Sequence, residues 1–168
     1  NALGGVTSYE YDKSYQLTAT VDPLKARIEY GYDAAGNMIS ITGPDGAVTR
    51  YKHDAMGAIT EVTNQLNGKV VYDYNTVGEV KAITDVLGRR TSYQYDAAGR
   101  LTGETGPAGA RSYLYDKKGN LLEETDESGK KTIRKYDQDN QLIEETAPGG
   151  GGKNKYAMSP IPAINIPP

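Results

Sequence analysis

The sequence predicts an all-β protein: an antiparallel meander of tandem β-hairpins, about 21 residues each, forming a single curved, spiralling sheet. Three observations carry that prediction. The string Tyr-x-Tyr-Asp-x-x-Gly recurs seven times in complete or degenerate form, its Asp position falling at residues 12, 33, 54, 75, 96, 116 and 137 in steps of 21, 21, 21, 21, 20 and 21. A second cluster of turn residues follows each first glycine by about ten residues. The aromatic inventory is 14 tyrosines with no Phe or Trp, so one position is reused many times.

The first turn of each unit comes from the motif itself. Complete copies are Tyr30-Gly-Tyr32-Asp33-Ala-Ala-Gly36, Tyr93-Gln-Tyr95-Asp96-Ala-Ala-Gly99 and Tyr113-Leu-Tyr115-Asp116-Lys-Lys-Gly119. Degenerate copies start at Tyr9, Tyr51, Tyr72 and Arg134, and the one at Tyr51 carries His53-Asp54-Ala-Met-Gly57. The Asp side chain accepts a bond from the backbone two residues on. Gly then supplies the positive φ that follows a type I turn in a G1-bulged hairpin. Asp33, Gly36, Asp54, Gly57, Asp96, Gly99, Asp116 and Gly119 are therefore the candidate turn residues. Asn140 replaces Gly as the next best left-handed residue, whereas Tyr15 breaks the rule and predicts a distorted first turn.

The second turn reads Gly43-Pro44-Asp45-Gly46, Asp85-Val-Leu-Gly88, Gly106-Pro107-Ala108-Gly109 and Asp126-Glu-Ser-Gly129. In the third unit, Asn64-Gln-Leu-Asn67-Gly68 implies one extra residue, made up before Tyr72. Between turns lie six or seven residues of β-type content, in which Ile39 and Ile41, Val70 and Tyr72, and Tyr93 and Tyr95 alternate. About fourteen strands result. Tyr-x-Tyr places both rings on one face. Tyr30, Tyr32, Tyr51, Tyr72, Tyr74, Tyr93, Tyr95, Tyr113 and Tyr115 thus form a candidate structural stripe. Equivalent rings are two strands apart, ~9–10 Å. Ile39, Ile59, Val80, Leu101, Leu121 and Leu142 are expected to fill the strands between them.

Composition narrows the function. Apolar residues are 37% of 168, too few for a large dry core. The net charge of −3 argues against a nucleic-acid footprint. There is no cysteine, which excludes disulfides and thiolate chemistry. No apolar run approaches the ~18–20 residues of a membrane span, and no signal peptide opens the chain. Glu123-Glu124, Lys130-Lys131, Glu144-Glu145 and Arg89-Arg90 send one charge to each face of a strand, which implies either pairs beside turns where neither face is covered or one curved layer with a hydrated concave side.

The chemistry-bearing residues all have plainer readings. Asp33, Asp54, Asp96, Asp116 and Asp137 are spread along a rim, ~10 Å apart. Calcium needs six to eight converging oxygens, so these residues cap turns. His53 stands in for a tyrosine. Ser8 or Ser92 could join it in a triad on paper, but no nucleophile elbow supports one. We expect no enzyme, no catalytic residue, no cofactor and no metal.

The repeated string, with Leu two residues after its glycine, a second Gly turn and Thr-x-Tyr, resembles the YD repeat of rearrangement-hotspot (RHS) proteins. The resemblance covers residues 1 to about 146 in seven copies. It implies hairpins wound into a continuous spiral sheet. In bacterial polymorphic toxins and the C components of Tc toxins, that sheet builds a hollow shell around a toxic C-terminal domain; in teneurins it forms an extracellular barrel. The core-ending Asp-Pro-x-Gly-Leu motif is absent, so no self-cleavage residue is carried over. The resemblance implies a structural shell segment, secreted or at a bacterial cell surface, with adjoining repeats of a longer chain and an enclosed toxin or cargo domain as partners. The alternative is a peptide- or glycan-binding adhesion module using the tyrosine face or an open edge.

The expected organisation is seven repeats over 1–146, a Gly-rich linker over 147–152 and a Pro-rich extended tail over 153–168. The array starts and stops inside turns, as an excised fragment would. The tail reads as a tethered ligand, a strand added to an open edge or an inert extension. Open edges predict self-association or docking of the tail, with no nucleic acid and no membrane insertion.

Overall fold

The structure is a computed structural model that describes residues 5–148 and 153–155. Asn1 to Gly4, most of the Gly-rich linker and tail residues 156–168 lie outside the described residues. Fifteen strands follow one another in chain order in a single antiparallel sheet, with no α-helix among the described residues. The chain falls into two compact units, residues 1–92 and 93–168.

The first unit holds β1 (Ser8–Tyr11), β2 (Leu17–Val21), β3 (Arg27–Tyr32), β4 (Met38–Thr42), β5 (Val48–His53), β6 (Ile59–Thr63), β7 (Lys69–Tyr74), β8 (Val80–Thr84) and the start of β9 (Arg90–Tyr95). The second continues through β10 (Leu101–Gly106), β11 (Gly109–Tyr115), β12 (Leu121–Thr125), β13 (Lys131–Tyr136), β14 (Leu142–Thr146) and β15 (Lys153–Lys155). Within each unit the substantial packing is between sequential neighbours. Ala19 and Ala82 are the only buried apolar residues among those described, and no large side chain is fully buried. Hydrogen-bonded hairpins, not an interior, hold the array together.

The turns explain the regularity. Asp33 Oδ1 accepts from the amides of Ala35 and Asn37, both at 2.9 Å. The Gly36 amide closes onto the Asp33 carbonyl at 3.1 Å, and the Asp33 amide onto the Asn37 carbonyl at 2.9 Å. With Gly36 at φ 89°, this is a type I turn followed by a G1 bulge. Asp54, Asp96 and Asp116 make the same two side-chain bonds, with Gly57, Gly99 and Gly119 left-handed. The turns at Asp85 and Asp126 repeat the arrangement on the opposite rim.

Three expectations about turns need correction. The Tyr15 turn is not distorted. Asp12 makes both side-chain bonds at 2.8 and 2.9 Å, and Tyr15 itself takes φ 61°. Asn64 to Gly68 holds no extra residue. Asn67 occupies the left-handed position at φ 61°, and Gly68 merely follows it. Gly106-Pro107-Ala108-Gly109 is not a copy of the Gly43 turn. Gly106 pairs directly with Gly109 across a two-residue loop, which accounts for the single 20-residue step.

The stripe partners also differ. The hairpins closed at Asp12, Asp33, Asp54, Asn75, Asp116 and Asp137 each skip one residue near the turn, as where Tyr32 pairs with Met38 while Gly31 pairs with Ser40. Ile39 is the unpaired bulge residue and is 39% exposed, so Met38 stands where Ile39 was expected. Ile59, Val80, Leu121 and Leu142 do face a ring, opposite His53, Tyr74, Tyr115 and Tyr136.

Candidate functional site

The ladder sorts the side chains into two faces. One carries the tyrosines. Tyr30 lies opposite Ile41, Tyr51 opposite Val62, Tyr72 opposite Ile83 and Tyr113 opposite Glu124. Tyr30, Tyr32, Tyr51, Tyr72, Tyr74, Tyr93, Tyr95, Tyr113 and Tyr115 are all half-buried, whereas Tyr9 and Tyr11 on β1 are 57% and 60% exposed. Burial raises the hydroxyl pKa of Tyr74 and Tyr93, aided by the carboxylates of Asp54 and Glu104 respectively.

Composition alone hid the reason for Tyr over Phe. The Tyr32 hydroxyl donates to the Leu17 carbonyl at 2.9 Å, Tyr74 to Ile59 at 2.7 Å and Tyr136 to Leu121 at 3.1 Å. Each bond reaches back to the residue that opens a strand of the preceding repeat. The signal was present in the sequence as 14 Tyr and no Phe. His53 takes the same place, and its buried Nδ1 has no partner.

The other face is ionic. Arg27 on β3 grips Glu10 on β1 with two bonds of 2.6 and 2.9 Å, reaching across β2. Ala19, between Glu10 and Glu29 in the ladder, is 0% exposed beneath this bridge. Arg90 reaches Asp73 at 2.7 Å across β8 in the same way, over Ala82 at 1% exposure. A small residue on the middle strand thus makes room for a charged arch. Glu61 holds Lys52 and Lys69 at 3.0 and 3.2 Å, and these bonds keep its pKa low. These pairs are solvent-exposed enough to contribute little stability singly. As adjacent charges require, Glu123 meets Lys131 on this face, while Glu124 turns to Arg134 on the other.

The rims carry a third set of contacts. Gln16 donates to the Gly36 carbonyl at 3.3 Å, Lys118 to Gln138 at 2.7 Å and Asn120 to Asn140 at 3.0 Å, each linking turns of successive repeats. Arg100 donates to the Asp116 carbonyl at 2.9 Å and lies 4.9 Å over the Tyr115 ring. The Asn37 amide and the Arg100 guanidinium hold the carboxyls of Asp33 and Asp96 below their ordinary range. An open groove of about 620 Å³ between two turns is lined by Asp12, Tyr30, Tyr32 and Asp33. A second, of about 540 Å³, recurs at Asp54, Tyr72, Tyr74 and Asn75.

Catalytic alternatives are not brought together. Ser8 and Ser92 fall on the ionic face, whereas His53 is on the tyrosine face. No group of three potential metal ligands forms among the described residues, and no helix is long and apolar enough to cross a membrane.

The sequence model of the RHS Repeat matches residues 32–69, 74–111 and 115–151. The chain belongs to the RHS repeat family. No curated protein matches it. Among solved structures, it is similar to a chain of the Photorhabdus luminescens Tc holotoxin pore, at 14% identity over 83% of this chain and 12% of that one, with a TM-score of 0.47. A chain in the TcdB2-TccC3-TEV structure is 16% identical over 89% of this chain and 11% of that one, with a TM-score of 0.48. One in TcdB2-TccC3 without its hypervariable C-terminal region is 13% identical over 83% and 12%, at 0.47. The chain therefore spans 11 to 12% of the length of these relatives. In the RHS array, Asp33, Asp54, Asp96 and Asp116 lie in closed turns, and the hydroxyls of Tyr32, Tyr74 and Tyr136 bond across repeats.

Proposed function

We propose that this RHS array is a wall segment of a hollow β-cage that encloses a toxin or other cargo domain of a longer, secreted or cell-surface bacterial polypeptide. The observation that carries this reading is a long sheet without an interior, whose two faces are lined independently, one with rings and one with ion pairs. Such a sheet can face solvent on one side and contents on the other. Its partners are then adjoining repeats and the enclosed domain, and the nine stripe tyrosines serve packing rather than chemistry.

The test is limited proteolysis of the longer polypeptide that contains these repeats. An enclosed domain resists cleavage until the wall is loosened by Asp54→Ala with Asp96→Ala. Equal cleavage rates before and after loosening would rule enclosure out. A second reading, a peptide- or glycan-binding module, draws on the exposure of Tyr9 and Tyr11 and on the groove that recurs beside Tyr30 and Tyr72. Saturable quenching of tyrosine fluorescence by an oligosaccharide or peptide, abolished by Tyr9→Ala with Tyr11→Ala, would favour it over the wall.

A further inference from the structure

We infer that the ionic face from β4 to β7 is a docking site for a short acidic segment of a partner polypeptide, read by Arg50, Lys52 and Lys69. The inference concerns this face alone and does not depend on whether the repeats enclose a cargo.

The first observation is an unanswered charge. The chain has seven arginines. Arg27, Arg89, Arg90, Arg100, Arg111 and Arg134 are each held in an ion pair. Arg50 is exposed and has no ion pair among the described residues. Two more cations on its face share a single carboxylate. Lys52 and Lys69 bond the same Glu61 Oε1 at 3.0 and 3.2 Å, and the Thr63 hydroxyl donates to that oxygen at 3.2 Å. Three cations therefore face one anion.

The second observation is shape. An open groove of about 690 Å³ is lined by Arg50, Lys52, Glu61, Thr63 and Lys69, with Ile39 also in its wall. One row of the ladder runs Gly31, Ser40, Arg50, Thr63 and Lys69 from β3 to β7. Apart from the cations its members are small, so no bulky side chain of this row stands beside Arg50. The Ser40 hydroxyl occupies the space that a side chain at Gly31 would need. The charged arches over Ala19 and Ala82 have no counterpart across β4. Gly31 and Val48 stand there in the places where Glu10 and Arg27, or Asp73 and Arg90, form them. The groove is left uncovered for that reason.

The spacing selects the ligand. Arg50 and Lys52 are two residues apart on β5, ~6.8 Å along the strand. An extended peptide presents every second side chain to one face at the same ~6.8 Å, so carboxylates at alternate residues match this pair. A guanidinium can take a carboxylate through two parallel bonds. A long polyanion suits the face less well, because Glu29 on β3 and Asp73 on β7 share it and would repel its continuation.

The experiment titrates the full chain with hexaglutamate by isothermal titration calorimetry. Binding should saturate and should weaken about tenfold from low to physiological salt. Arg50→Gln should weaken it by about tenfold or more, and the fold is kept because that side chain bonds no other residue. Glu61→Gln should strengthen it about threefold by releasing both lysines. Lys81→Gln removes an equal charge from β8, outside this groove, and should leave the affinity unchanged. Hexaglutamine should not bind. No saturation with hexaglutamate, a loss in Lys81→Gln equal to that in Arg50→Gln, or no gain in Glu61→Gln would each overturn the inference. So would equal binding of inorganic phosphate, which marks a single-anion site, or tighter Arg50-dependent binding of a heparin hexasaccharide, which marks a glycan surface.

Discussion

The Tyr15 turn isolates the energetic contribution of a single backbone angle. Tyr15 holds φ 61° with every hydrogen bond of its turn made and with its ring 90% exposed. A left-handed L-residue costs about 1–2 kcal/mol. Glycine avoids that cost but loses about 0.5–1 kcal/mol through its freer unfolded chain. Since so little of the ring is covered, Tyr15→Gly should gain roughly the difference, about 0.5–1 kcal/mol. A repeat array can open locally, so the gain belongs to the β1–β2 hairpin rather than to a global midpoint. The assay is amide exchange at Asp12 and Gln16, whose N–H groups are bonded within this turn. Protection there should rise about two- to fivefold.

Asn67→Gly is the internal control. Asn67 has the same angle, φ 61°, but Asn visits the left-handed region routinely, so its effect should be close to zero. Lys25→Gly, at φ 68°, should resemble Tyr15→Gly in the β2–β3 hairpin. Lower protection in Tyr15→Gly, or equal gains at Tyr15 and Asn67, would refute the claim that backbone strain separates these turns.

The remaining predictions concern ties and arches. Tyr74→Phe removes the bond to the Ile59 carbonyl and should lower stability to urea by about 0.5–1.5 kcal/mol. His53→Tyr should raise it by a similar amount, because a hydroxyl there reaches the Met38 carbonyl that the unpartnered imidazole leaves unused. Gln141→Asn should stabilise the last hairpin, seen as slower exchange at Asp137, by bonding the orphaned Asp137 Oδ2 as Asn37 bonds Asp33. Ala82→Leu should displace Arg90 from Asp73 and destabilise by about 1–3 kcal/mol, measured by urea unfolding. Bonds from Asn37, Arg89, Arg100, Asn120 and Ser128 depress the carboxyl pKa values of Asp33, Asp85, Asp96, Asp116 and Asp126. Their stabilisation is complete above the ordinary Asp range and is lost as pH falls through the lowered values. Circular dichroism should therefore hold constant near neutrality and decline only below about pH 4.

Turn chemistry was legible because it is local: an Asp side chain and a left-handed residue three positions later need nothing else in the fold. The errors arose where residue type was weighed over period. Gly68 drew the turn away from Asn67, and Asp22-Pro23-Leu24-Lys25, a turn without glycine, went unread even though Asp22 makes both side-chain bonds. Strict alternation placed the paired rings on one face but missed the skipped residue after the turn that follows Tyr-x-Tyr, which put Ile39 one place out. The arches were not legible. Arg27 and Glu10 lie 17 residues apart on strands that do not touch, and their bridge exists because Ala19 is small.

Turns that fix register leave the faces free to change. In β4, β6 and β8 the residue opposite the first ring is Ile41, Val62 or Ile83; in β12 it is Glu124. In β13 the ring itself is replaced by Arg134, 20% exposed, which bonds Glu145 at 2.9 Å and approaches Glu124 at 3.4 Å. A core built by complementary packing would not accept a ring-and-aliphatic pair exchanged for an ion network. Here the ladder offset from β12 to β13 equals that from β4 to β5. The reason is that both hairpins are set at their rims, by Asp126 and by the Gly43–Ala47 closure, and not by what lies between. A sheet specified in this way can carry an aromatic lining on some strands and a charged one on others with no change in geometry, as a wall matched locally to its contents would require.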